Sequence, residues 1–208
     1  MLSTPKGFRL HIGLFGRRNV GKSSLLNALT RQDVSIVSDV AGTTTDPVEK
    51  PMELLPLGPV LFIDTAGIDD VGALGAMRVA RTKQIFDRCD LGVIIVGMER
   101  GSPEPSSSAC SSGEPRPCGF GPFEEEMLRE LQQRQIPVII VLNKVDLGAP
   151  DQALLDRFKA AKVPVVQTVA VQGQGVPELR EALIKHAPED FINMPSIMGD
   201  LLPAGELA

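Results

Sequence analysis

A chain of 208 residues can bury a full core in one domain with a little left over, so one domain plus an appendage is expected. Its net charge of −5, with Lys and Arg scattered, offers no basic patch of the kind that grips a nucleic-acid backbone, and nothing argues for a nucleic-acid partner. Three cysteines, Cys89, Cys110 and Cys118, lack C-x-x-C spacing, and the odd count fits a reducing compartment better than a disulfide framework.

Residues 1–7 lead almost at once into the first strand, which leaves no room for a signal peptide. No apolar run approaches the ~20 residues of a membrane span. A soluble cytoplasmic protein without a membrane partner is expected, or one of an organelle stroma if the source is an alga.

Leu10-His11-Ile12-Gly13-Leu14-Phe15 reads as a short apolar strand, and residues 24–29 carry helical apolar spacing. Between them, Gly16-Arg17-Arg18-Asn19-Val20-Gly21-Lys22-Ser23 fits the phosphate-loop pattern G-x-x-x-x-G-K-[ST] without a gap. A strand that feeds a glycine-rich turn and then a helix aims successive backbone N–H groups and the positive helix end at one spot, where a nucleoside triphosphate can sit. Gly16 and Gly21 permit the backbone geometry, Lys22 would reach the β- and γ-phosphates, and the Ser23 hydroxyl would ligate Mg²⁺. Arg17, Arg18, Asn19, Val20 and Ser24 complete the loop. The two arginines, at its tip, are expected to face solvent, and the Lys22 ammonium to face an otherwise empty loop.

Residues 33–50 are rich in Thr, Asp and Pro and read as a loop, followed by a strand over 52–57. Val60-Leu61-Phe62-Ile63 is a buried central strand ending at Asp64. Residues 73–88 carry helical spacing and 91–96 form another buried strand, with Cys89 a small buried hydrophobe at the helix end. From 101 to 122 the composition turns to Ser, Pro and Gly, too poor in large apolar side chains to order itself, so a disordered insertion is expected. A helix over 123–135, a strand over 137–142, a helix over 151–161, a strand over 163–169 and a helix over 176–186 follow. Six strands alternating with such helices predict an α/β domain over 1–187, its sheet mostly parallel and covered on both faces, with a short tail over 188–208.

Three further motifs carry chemistry. Asp64-Thr65-Ala66-Gly67 follows a buried strand, so Asp64 can hold the Mg²⁺ shell while the Gly67 N–H bonds the γ-phosphate. Asn143-Lys144-Val145-Asp146 closes another strand. There the Asp146 carboxylate can accept from guanine N1–H and the 2-amino group, rejecting adenine, with Asn143 and Lys144 as buttresses. In Gly42-Thr43-Thr44-Thr45-Asp46, a threonine hydroxyl would complete the Mg²⁺ shell when γ-phosphate is present. Thr44 is the first choice, and spacing alone leaves Thr43 and Thr45 open. Arg78, Arg81, Lys83 and Arg88 form the only local basic cluster and read as a solvated helix face.

Together these motifs resemble a Ras-like P-loop GTPase domain of the translation-factor-related branch that includes MnmE, Era and Der. Within it, residues 16–22, 37–47 and 63–70 most closely resemble HydF, the GTPase of [FeFe]-hydrogenase maturation, above all in Thr45-Asp46-Pro47, where relatives usually show Arg-Asp. The resemblance implies GTP, GDP and Mg²⁺ as ligands, slow hydrolysis, maturation scaffold domains or proteins as partners, and a possible dimer of GTPase domains. HydF proteins continue into a dimerisation domain and an iron–sulfur domain; the tail over 188–208 resembles, at residues 199–203, only the opening of the former, so the cluster-carrying function is absent from these residues. In the fifth guanine-nucleotide motif, Val169-Ala170 stands where relatives have Ser-Ala; the Ala170 N–H would still meet guanine O6, on a loop loosened by the lost hydroxyl. Ile68 occupies the place of the water-orienting glutamine of Ras-type enzymes. The branch uses K⁺ in place of an arginine finger, and Asn19 occupies the position of the asparagine that helps hold it. tRNA modification or ribosome assembly, as in MnmE, Era and Der, is the competing role.

Overall fold

The computed structural model describes residues 9–31, 48–55, 57–64, 85–98, 119–188 and 191. Within them, strands β1 (Leu10–Phe15), β2 (Val48–Leu54), β3 (Gly58–Asp64), β4 (Leu91–Gly97), β5 (Val138–Asn143) and β6 (Val165–Thr168) form a six-stranded sheet in the order β2-β3-β1-β4-β5-β6. Neighbours run parallel except β2 and β3, an antiparallel pair at one edge. The helices are α1 (Lys22–Arg31), α2 (Pro122–Gln133), α3 (Gln152–Ala160) and α4 (Val176–His186).

Strand periodicity makes the sheet two-sided. Ile12, Leu14, Val93, Ile95, Ile139 and Val141 point to one face, where Leu25, Leu26 and Leu29 of α1 and Leu179 and Leu183 of α4 cover them. Ile94, Val96, Ile140 and Leu142 point to the other, under Met127, Leu128 and Leu131 of α2 and Phe158 of α3. Strands buried on both faces need apolar residues at successive positions, which is why β4 and β5 read as continuous hydrophobic runs.

Several boundaries differ from the sequence reading. β2 begins at Val48, inside the expected loop, and ends at Leu54, because its extent is set by pairing with β3 from Val48↔Asp64 to Leu54↔Gly58. Pro51 is compatible with it because an edge strand has a side that need not donate. Residues 119–122, counted with the disordered insertion, are ordered: Phe120 is buried and meets Phe158 edge-on at 5.0 Å, and Pro122 opens α2. Helix α1 starts at Lys22, two residues early. Of the predicted 73–88 helix only its end, 85–88, is described, helical over 85–87; residues 73–84 and 101–118 lie outside the described residues. Phe191, in the predicted tail, packs partly buried against the first core.

Cys89 is buried as expected. Its Sγ accepts the Gly13 N–H and its thiol donates to the Leu91 carbonyl, both at 3.0 Å, and burial pushes its pKa up to about 12. Arg88 is exposed, and its guanidinium pairs with Glu49 at 2.6 Å. Arg78, Arg81, Lys83, Cys110 and Cys118 lie outside the described residues. Among the described residues no helix is long and apolar enough to cross a membrane.

Candidate nucleotide site

The strand order reverses at β1, which lies between β3 and β4, and ligands of open α/β sheets bind at the carboxyl ends of strands at such a point. The glycine-rich loop starts there. It leaves β1 after Phe15 and enters α1 at Lys22, whose first turn closes with the Leu25 N–H on the Gly21 carbonyl at 2.9 Å. Gly21 has φ 97°, and a Cβ there would strike the Asn143 side-chain amide, so only glycine fits.

Lys22 is 7% exposed, and its ammonium donates to the carbonyls of Gly16 at 2.6 Å and Arg17 at 2.8 Å. The expected empty loop is therefore corrected: the ammonium ties the loop together with two of its three N–H groups, leaving one for a phosphate. Arg18 and Asn19 are exposed, Asn19 with φ 63°; Val20 is half-buried, and Ser23 and Ser24 are exposed at the start of α1. Arg17 is corrected as well. Its guanidinium is partly solvent-facing but pairs with Glu124 of α2 at 2.8 Å.

The Asn143 side chain, 1% exposed at the end of β5, is the junction of the site. Its Nδ2 donates to the Val20 carbonyl at 2.8 Å, and its Oδ1 accepts from the Thr168 hydroxyl and the Ala170 N–H, each at 3.1 Å. The next residue, Lys144, has φ 62° and donates its Nζ to the Asn19 carbonyl at 2.6 Å. Two residues of one motif thus hold the phosphate loop at successive carbonyls. Asp146 is exposed in the turn beyond. Val169 and Ala170 are buried, Ala170 at the start of a short 3-10 turn, and the Ala170 N–H expected on guanine O6 is engaged by Asn143.

Asp64 closes β3, buried, in register with Leu14 one residue before the end of β1. Its carboxylate and the Ser23 hydroxyl at the start of α1 are hard oxygen donors of the kind Mg²⁺ takes. Thr43, Thr44, Thr45, Gly67 and Ile68 lie outside the described residues. Sequence reasoning missed two participants. Thr168 carries no motif signal, whereas the glutamate three residues after Gly121, ahead of an apolar run, is a helix-start pattern that pointed to Glu124.

The family of 50S ribosome-binding GTPases matches residues 11–144, and the chain belongs to it. It is similar to the tRNA modification GTPase MnmE of Synechococcus sp. (strain JA-3-3Ab), 38% identical over 176 residues, covering 83% of this chain and 32% of that protein. It is also similar to GTPase Der of Wolinella succinogenes, 32% identical over 185 residues, covering 85% of this chain and 35% of that one. The chain thus spans about a third of the length of these curated relatives. Among solved structures, Aquifex aeolicus Era bound to GDP and AlF4⁻ is 28% identical with a TM-score of 0.59, over 86% of this chain and 56% of that one. The G domain of the T. maritima FeoB iron transporter shares the fold at 22% identity and a TM-score of 0.54, over 86% and 98% of the two chains. The chain thus has the Ras-like P-loop fold and matches the GTPase segment of MnmE, Der and Era.

Proposed function

We propose that the chain is a slow, potassium-stimulated GTPase that serves as the nucleotide switch in assembly of the [FeFe]-hydrogenase cluster. The observation that carries its nucleotide half is the Asn143 side chain, which gives the phosphate loop and the 168–170 segment one rigid support. A pocket for phosphates at one end and a base at the other needs such a common anchor.

In this reading Lys22 and the backbone N–H groups of 17–24 hold the phosphates, Asp146 accepts from guanine N1–H and the 2-amino group, and the Ala170 N–H is shared between Asn143 Oδ1 and guanine O6. Ser23, Asp64 and Thr44 hold Mg²⁺, and the Gly67 N–H senses the γ-phosphate. With Ile68 unable to orient water, Asn19 helps hold a potassium ion, which would supply positive charge between the β- and γ-phosphates. The exposed Asn19 side chain, on a backbone pinned by Lys144, is compatible with that role.

Thr45-Asp46-Pro47 supports the hydrogenase role, with maturation scaffold domains or proteins and a second GTPase domain as partners. A second reading, tRNA modification or ribosome assembly, is favoured by the names of the relatives. Competition among GTP, ATP and XTP tests the base site: Asp146→Asn weakens GTP by about 2–4 kcal/mol, and equal native affinity for ATP and GTP would remove the claim. Hydrolysis in KCl and NaCl at matched ionic strength tests the cation, with Asn19→Ala erasing the difference. Cells carrying Asp146→Asn should lose hydrogen evolution; loss of a tRNA modification with hydrogen evolution intact would assign the second reading.

A further inference from the structure

The phosphate loop is held from two flanks, and one of them lies outside the nucleotide motifs. On the first, Asn143 and Lys144 take the carbonyls of Val20 and Asn19. On the second stands Glu124, whose Oε2 accepts from the Arg17 guanidinium and from the Gly121 N–H, both at 2.8 Å. We propose that Glu124 is a positioning residue for the phosphate loop, acting through Arg17 to keep the loop in the shape that receives the β- and γ-phosphates. This rests on the nucleotide reading above.

Helix capping alone does not account for this carboxylate. Asp151 caps α3 from a half-buried position, its side chain accepting the Ala153 N–H at 2.9 Å. Glu124 is 0% exposed, and its Oε1, shut away from solvent, has no hydrogen-bond partner among the described residues. Burying a carboxylate with one oxygen unmatched is a net cost for folding unless a cation uses the charge. The cation is Arg17, and the route continues inward, because the Arg17 carbonyl accepts the Lys22 ammonium at 2.8 Å. Glu124, Arg17 and Lys22 thus form one chain from the first turn of α2 to the ammonium that meets phosphate.

The surroundings are shaped for the pair. A Cβ on Gly121 would collide with the Arg17 guanidinium, so glycine there makes room for the arm to cross. The planar guanidinium offers a fork of N–H donors to the carboxylate, which a lysine ammonium lacks. Without the tether, Arg17 loses its hold on α2, and the N–H groups that converge on phosphate lose part of their preset aim.

Glu124→Gln keeps an oxygen for the Gly121 N–H and removes the charge; Arg17→Met, at a half-exposed side chain, removes the partner without threatening the core. Steady-state GTP hydrolysis by the full chain should show KM raised about tenfold in each, with kcat within about twofold. The double variant should be no worse than the worse single one, and Arg17→Lys should recover part of the loss. Lower thermal stability with KM unchanged in both variants would leave Glu124 a structural residue and overturn the proposal, as would effects that multiply in the double variant. Absence of GTP turnover by the wild-type chain would instead overturn the nucleotide reading itself.

Discussion

Replacing Asn143 with Ala separates the two jobs packed into residues 143–146. The side chain makes three hydrogen bonds, and truncation strands the Val20 carbonyl, the fully buried Thr168 hydroxyl and the buried Ala170 N–H. At about 1 kcal/mol per bond the loss is about 3 kcal/mol, before any cavity where the amide stood. For a domain of this size that lowers Tm by about 6–12 °C. Asn143→Asp is no milder, because it keeps the two accepted bonds but sets a carboxylate oxygen against the Val20 carbonyl in place of the donor. Urea unfolding with no nucleotide added measures both, with the midpoint shifted and the slope unchanged. In the same assay Asp146→Asn, at an exposed position, stays within about 0.5 kcal/mol of wild type. A loss below about 1 kcal/mol for Asn143→Ala would refute the junction, and an equal loss at Asp146 would refute the division of labour.

Lys22→Ala should cost triphosphate binding and also about 1–3 kcal/mol of stability without nucleotide, since two charge-assisted bonds of a buried ammonium disappear; unchanged urea unfolding would contradict it. Cys89 makes stability fall at alkaline pH. The folded thiol keeps its proton up to about 12, whereas the unfolded one releases it near ~8.5, so between them the native state binds more protons and stability drops by about 1.4 kcal/mol per pH unit. That contribution is complete below pH ~8.5 and gone as pH rises through the folded value. With no tyrosine in the chain to titrate alongside it, the stability difference between wild type and Cys89→Ala should shift by about 2 kcal/mol from pH 8 to 10; a constant difference would rule the linkage out.

The sequence by itself determined what contiguous residues can determine. The phosphate loop is eight successive residues whose glycines, lysine and flanking strand and helix need no distant partner to be recognised, and short apolar runs at 91–96 and 137–142 read as buried strands. Apolar spacing also exposed helices over 123–135 and 176–186, found at 122–133 and 176–186, because a period of 3.6 survives without knowledge of what it packs on. Tertiary structure decided the rest, for periodicity says which face a residue turns inward but not which strand end it will abut. The start of β2 at Val48 came from its ladder with β3, and Phe120 escaped a disordered reading because Phe158 was waiting for it. Asn143 was legible as a buttress, yet its partners lie 123, 25 and 27 residues away and meet it only because β5 sits beside β6 and its end abuts the phosphate loop. Arg17 read as solvent-facing for the same reason: the carboxylate that captures it is 107 residues off, brought to the loop by the packing of α2 against the sheet.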